Sequence, residues 1–253
     1  MKIVRFERSG VEAYGVLEGD TIRAVRGSVC EDFALGEQMC RLGEARLLAP
    51  VQPRIIVCVA ANYYCLQQEL GREIPREPEV FLKPASAVIG HLDHVVYPEV
   101  SNSVSCGGEL AVVIRREARR VPEDGALEFV LGYTCGLDVT AQDLLKERFQ
   151  TRAKSFYTFC SLGPWVETSV AGDDLLLRSR VNGNLVLDHR TGGMIFGVGQ
   201  AVSYISQFMA LQPLDVVLMG TPKPETEVDE GDAIEVEIEG IGTLRNAVTR
   251  TRQ

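Results

Sequence analysis

The sequence predicts an α+β fold, mostly β, with a few flanking helices and a small N-terminal cap. Short strand-like runs recur along the chain. Some alternate, as in KIVRF, and some are continuously apolar, as in RIIVCVAA and ELAVVI. Turn pairs punctuate them, among them Ser9-Gly10, Gly19-Asp20 and Asn182-Gly183. Apolar residues at helical spacing are confined to a few stretches.

Taken in order, residues 1 to 27 read as short strands with tight turns. Residues 29 to 48 carry Phe33, Leu35, Met39, Leu42 and Leu47 at helical spacing and read as a helix. Residues 1–50 thus form the cap, too small to stand without the main body of residues 51–253. After the proline-marked junction at Pro50 and Pro53, RIIVCVAA is a buried strand. It leads into a short helix, with Asn62 as N-cap and Gly71 as its stop. Residues 72 to 78 are a polar, proline-rich connection. VFLKP follows, its Lys83 read as anchoring a strand end rather than lining a site. His91, Asp93 and His94 sit in a turn and read as surface residues rather than metal ligands.

Residues 105 to 116 and the run GYTCGLDVT are strands, separated by a short helix-like segment over 123 to 129. AQDLLKERF reads as a helix that Asp138 would otherwise cap. FCSLGPWVET ends a strand with Trp165 packed. LLLRSRVNGNLVL is a hairpin turning at Asn182-Gly183. VGQAVSYISQFMAL is an amphipathic helix, and GDAIEVEIEGIGTLRNAV a strand pair with its glutamates on the wet side.

Composition narrows the function. The chain has 253 residues, 45% hydrophobic and 24% charged, with a net charge of −9. That acidity argues against nucleic acid or an anionic membrane as partner, while leaving room for a local basic pocket. The opening MKIVRFERSG has no apolar core of signal-peptide length. The seven cysteines are an odd number, and none form a C-x-x-C pair. Reduced thiols in a cytoplasm are the expectation.

The densest chemistry lies between Ser105 and Pro164. ELAVVI, GYT..LDVTAQD, TRAKSF.TFC.LGPW and the later MIF and GTP are similar to the fumarylacetoacetate hydrolase superfamily, from about Arg54 to the end. The resemblance implies a mixed β-roll, a homodimer, and a Mg²⁺ or Mn²⁺ that chelates a 2-oxo acid or 1,3-dicarbonyl. It implies Glu109 and Asp138 as metal ligands and Lys154 as the catalytic lysine. Thr221 and Gly220 would touch substrate oxygens. Glu69 would be an acid/base, against a plainer reading as a solvated helix-face carboxylate.

The departures are as informative. The family's Asn-Tyr-x-x-His-x-x-Glu has Leu66 at its histidine, so Glu69 stands without an imidazole. Its Glu-x-Glu has Gly107 at the first acid, which weakens or abolishes the metal site. Its carboxylate-clamping arginine is Gln142, the acid after its TRAKSF is Tyr157, and its Gly-Val-Gly loop is KPET. Two readings follow. One is a divergent enzyme acting on an enolisable 2-oxo acid or 1,3-dicarbonyl by tautomerisation, decarboxylation, cyclisation or carbon–carbon cleavage, with Leu66, Gln142 and Tyr157 around the substrate. The other is a non-catalytic binding or regulatory subunit. Thiol chemistry at Cys65 or Cys106 lacks an activating histidine.

Overall fold

The computed structural model describes residues 1–145 and 150–250. Among these, the strands form one sheet of thirteen and one of five. The larger sheet runs from the N-terminal strands through Cys160–Glu167, Val130–Ala141, Val104–Ile114, Val216–Leu218 and Ile55–Val59 to Val80–Pro84. Its centre is the antiparallel pair Val104–Ile114 and Val130–Ala141. Every residue of the first strand is buried, as its unbroken apolar run requires of a central strand covered on both faces.

The smaller sheet holds the expected hairpin, Leu176–Val181 with Asn184–Arg190, beside Ala233–Ile238 and Gly242–Arg250. Asn182 and Gly183 both take positive φ, 51° and 78°, the conformation a two-residue hairpin turn needs. Ile234, Val236 and Ile238 face inward while Glu235 and Glu237 alternate outward. The helix Val198–Phe208 buries Val198, Ala201, Val202 and Ile205, the apolar stripe its spacing predicts. Residues 123 to 129 form a 3₁₀ helix, Glu123–Phe129.

Three expectations are corrected. Residues 29 to 48 are not helical: Ala34–Arg41 is a strand paired with Thr21–Arg26, followed by a 3₁₀ turn over Leu42–Glu44. Leu35 and Met39 are each 38% exposed, and Gly36 and Cys40 are the strand's buried residues, so the apolar spacing marked a surface rather than a helix face. Asn62 does not cap the helix Tyr64–Glu69; Tyr63 occupies the N-cap position. The Asn62 amide instead donates to the carbonyls of Phe196 and Met219 and accepts from the Phe196 N–H. The helix expected over 141 to 149 contributes one 3₁₀ turn, Gln142–Leu144; residues 146–149 lie outside the described residues.

The N-terminal strands join the large sheet through Lys2–Arg8, which pairs with Cys160–Glu167 at two positions, Lys2 with Glu167 and Ile3 with Val166. Val4, Phe6, Leu17, Ile22 and Cys40 form a separate small core beneath them.

Asn62 and Gly220 set the loop that follows Val216–Leu218. Gly220 has φ of +89°, and a Cβ there would meet the Val59 carbonyl at 2.9 Å. Gly220→Ala should therefore destabilise the chain by about 1–3 kcal/mol, read as a lower urea midpoint at unchanged slope. An unchanged midpoint would refute this account of the loop.

Candidate active site

The central strand pair builds the floor of the site. Ser105 lies opposite Thr140, Gly107 opposite Asp138, and Glu109 opposite Gly136. Side chains alternate along a strand, and directly opposed residues share a face. Ser105, Glu109, Asp138 and Thr140 therefore project to one side, with a gap at Gly107. Glu109 and Asp138 are 3% and 2% exposed. Glu109 Oε2 accepts the Gly220 N–H at 2.7 Å, which ties the strand to the loop above it.

Two lysines converge on Asp138. Lys154, at the end of the short helix Thr151–Lys154, places Nζ 2.6 Å from Asp138 Oδ2 and 2.7 Å from Glu225 Oε1. Its third N–H has no acceptor among the described residues. Lys83 reaches Asp138 Oδ1 at 2.7 Å from the opposite side. Its three protons go to the carbonyls of Val139, Lys154 and Phe159, at 2.9, 2.8 and 2.8 Å. Lys83 thus anchors strands, as expected, and also faces a site residue, which was not.

These groups border a cavity of about 290 Å³. Leu66, Glu109, Asp138, Gln142, Lys154, Gly220 and Thr221 all line it. Two candidates do not. Glu69 is exposed, because the short helix turns Leu66 and Gln67 inward and the residue three further on outward. Tyr157 is 70% exposed, beyond the turn that ends the lysine helix. Neither borders the cavity, so the structure does not bring them together with the other candidates. Arg72, Lys223 and Glu225 also line it. Glu225 was missed. Its one signal was the acid in KPET, where the resemblance expected Gly-Val-Gly.

The remaining candidates have structural partners. The His91–His94 turn borders a separate, larger cleft of about 660 Å³. There His91 Nδ1 accepts the Arg245 N–H, and Asp93 accepts the Gly90 N–H. Cys65 donates to the Pro222 carbonyl. Burial pushes the Cys106 thiol up, away from a reactive thiolate.

The site's two buried strand acids are shifted in opposite directions. Burial would raise Asp138, but Lys154 and then Lys83 outweigh it and hold that carboxyl below the usual range. Glu109 is pushed well up, first by burial and then by the negative Asp138, against the pull of the Gly220 N–H. Lys154 is held charged: burial opposes this, and Asp138 and Glu225 override it.

The implied metal can be tested against this donor set. Glu109 and Asp138 are hard oxygen ligands of the right type. Gly107, however, supplies no carboxylate, and both Asp138 oxygens face ammonium groups. Among the described residues no three acid, histidine or cysteine side chains converge as a metal would require. The arrangement does not fit a divalent cation.

Comparison with known proteins agrees with this architecture. Residues 55–249 match the family model for the fumarylacetoacetate (FAA) hydrolase C-terminal domain, and residues 1–50 match an Rv2993c-like N-terminal model. An uncharacterized protein of Archaeoglobus fulgidus is 45% identical over 83% of this chain and 84% of its own. The mitochondrial oxaloacetate tautomerase FAHD2B of Homo sapiens is 38% identical over 81% of this chain and 70% of its own. The crystal structure of 2-hydroxyhepta-2,4-diene-1,7-dioate isomerase from Mycobacterium marinum superposes with a TM-score of 0.93 at 37% identity, covering 100% of both chains.

The raised Glu109 carboxyl carries a sign that can be checked. The unfolded chain releases this proton near pH 4.3, whereas the folded chain releases it only at higher pH, so Glu109 costs stability as pH rises above the unfolded value. Glu109→Gln should raise the melting temperature at pH 8 by at least about 2 °C and by less at pH 4. A variant less stable at pH 8 than at pH 4, relative to the parent, would contradict this.

Proposed function

The chain belongs to the fumarylacetoacetate hydrolase family, a family of isomerases and hydrolases, and from that premise we propose that it tautomerises a small enolisable 2-oxo acid. The observation that carries this is Leu66. It sits in the cavity wall where hydrolysis would need an imidazole to activate water, and a leucine moves no proton. Keto–enol exchange needs no bound nucleophile. It needs a proton carrier and a positive group beside the oxygen that becomes an enolate.

Both are present. Lys154 keeps one N–H uncommitted among the described residues, on a buried ammonium fixed by two carboxylates at the cavity wall. That N–H faces the developing enolate oxygen. Glu109 is the cavity's acid without a lysine partner; with its carboxyl raised above the usual range it can, when ionised, take the proton from carbon and hand it to the enolate oxygen, and run the reverse. Gly220 holds Glu109 in place, and Thr221 offers a hydroxyl to the substrate. Neither role calls on a metal. The similarity to proteins described as a tautomerase and an isomerase supports the reaction class.

The experiment is keto–enol interconversion of oxaloacetate and a panel of other 2-oxo acids, with and without chelator. Turnover should persist in chelator, and Lys154→Met should lower kcat by roughly 10²–10³-fold. Acceleration of none of the panel would overturn the proposal and favour a binding subunit. Loss of turnover in chelator would return the metal to the mechanism.

A further inference from the structure

We infer that Glu225 is the positioning residue for Lys154, and that it brings to the site, from a loop, the carboxylate that strand position 107 does not supply. Gly107 is the register partner of Asp138 and lies two residues from Glu109, so an acid there would share their face. The space above it is filled instead from the loop after Val216–Leu218. A Cβ on Gly107 would lie 3.4 Å from Glu225 Cγ and 2.9 Å from Thr221 Cγ2.

The Glu225 carboxylate is fully engaged. Oε1 accepts from Lys154 at 2.7 Å and Thr140 at 2.9 Å. Oε2 accepts from Ser105 at 2.6 Å and Gln142 at 3.0 Å. Four donors exhaust the lone-pair directions of a carboxylate, so this group is held rather than wandering at a cavity mouth. Its backbone is fixed too, because the next residue begins the strand Thr226–Val228, paired with Val104–Cys106.

Charge balance gives the arrangement its purpose. Lys83 and Lys154 face Asp138 and Glu225, two cations against two anions. Without Glu225, two buried ammonium groups would share one carboxylate, and the one nearer solvent would leave. Lys83 is tied to three carbonyls, so Lys154 is the one that moves. Glu225 therefore fixes where the Lys154 ammonium sits and which way its remaining N–H points. Its effect on turnover rests on the tautomerase reading above; the placement of Lys154 does not.

The test uses Glu225→Gln, close to isosteric, and Glu225→Asp, which keeps the charge one methylene further back. The first readout is the acylation rate of Lys154 by a water-soluble anhydride at pH 8, followed by peptide mass spectrometry with Lys2 as the internal reference. Charge-assisted hydrogen bonds are worth enough that Glu225→Gln should speed labelling of Lys154 roughly 10- to 100-fold, with Glu225→Asp between it and the parent. The second readout is kinetic: kcat on the accepted 2-oxo acid should fall by a similar factor while KM stays within about threefold. Unchanged Lys154 labelling in folded Glu225→Gln would overturn the inference. So would a variant that loses Mn²⁺ affinity by calorimetry without altered labelling, since Glu225 would then be a metal ligand. If no 2-oxo acid is turned over, the labelling arm still decides the role of Glu225, separately from the fate of the tautomerase reading.

Discussion

The site depends on one buried carboxylate, Asp138, held between two ammonium groups. Each lysine comes from a different element: Lys83 from the strand Val80–Pro84, Lys154 from the short helix Thr151–Lys154. Taking such charges out of water costs several kcal/mol per ion, and only close pairing with further hydrogen bonds offsets it. Lys83 meets that requirement by giving its three protons to carbonyls of three segments. The same ammonium thereby closes the backbone around the cavity and sets the potential inside it. Scaffold and active site are here one network, so damage to Lys83 or Asp138 would be felt in both.

Much of the fold was legible because period and burial agree in most strands. The unbroken run ELAVVI is central, and the alternating Ile and Glu of AIEVEI has one wet face. Turn chemistry fixed the hairpin at Asn182-Gly183. The error over residues 29 to 48 arose where period and burial disagree. Leu35 and Met39 are apolar residues left partly in solvent on an edge strand, and their spacing imitated a helix face. Asn62 misled in another way. Its amide satisfies backbone groups of Phe196 and Met219, more than 130 residues distant, which no local reading can see.

The site was readable where its residues share strand register, and opaque where a loop supplies them. Glu109, Asp138 and Lys154 lie in runs with recognisable wording and meet at the cavity as expected. Glu225 sits in a loop, and its partners Lys154, Gln142, Thr140 and Ser105 are 71 to 120 residues away. The sequence carries two separate facts, an acid missing at 107 and an acid present at 225. Only the folded chain brings them within contact distance. Glu69 shows the converse: it lies only three residues from Leu66, but the six-residue helix buries Leu66 and Gln67 and leaves Glu69 outside.

The narrow join of the N-terminal strands has its own consequence. The strand Cys160–Glu167 is covered on its outer edge by Val88–Ile89 at one end and by Lys2 and Ile3 at the other. Residues 1–50 therefore act as an edge guard. They satisfy backbone groups that would otherwise template pairing with a neighbouring chain. Trimming this segment would uncover the edge of Cys160–Glu167 that Lys2 and Ile3 occupy and leave its backbone groups open to a neighbouring chain.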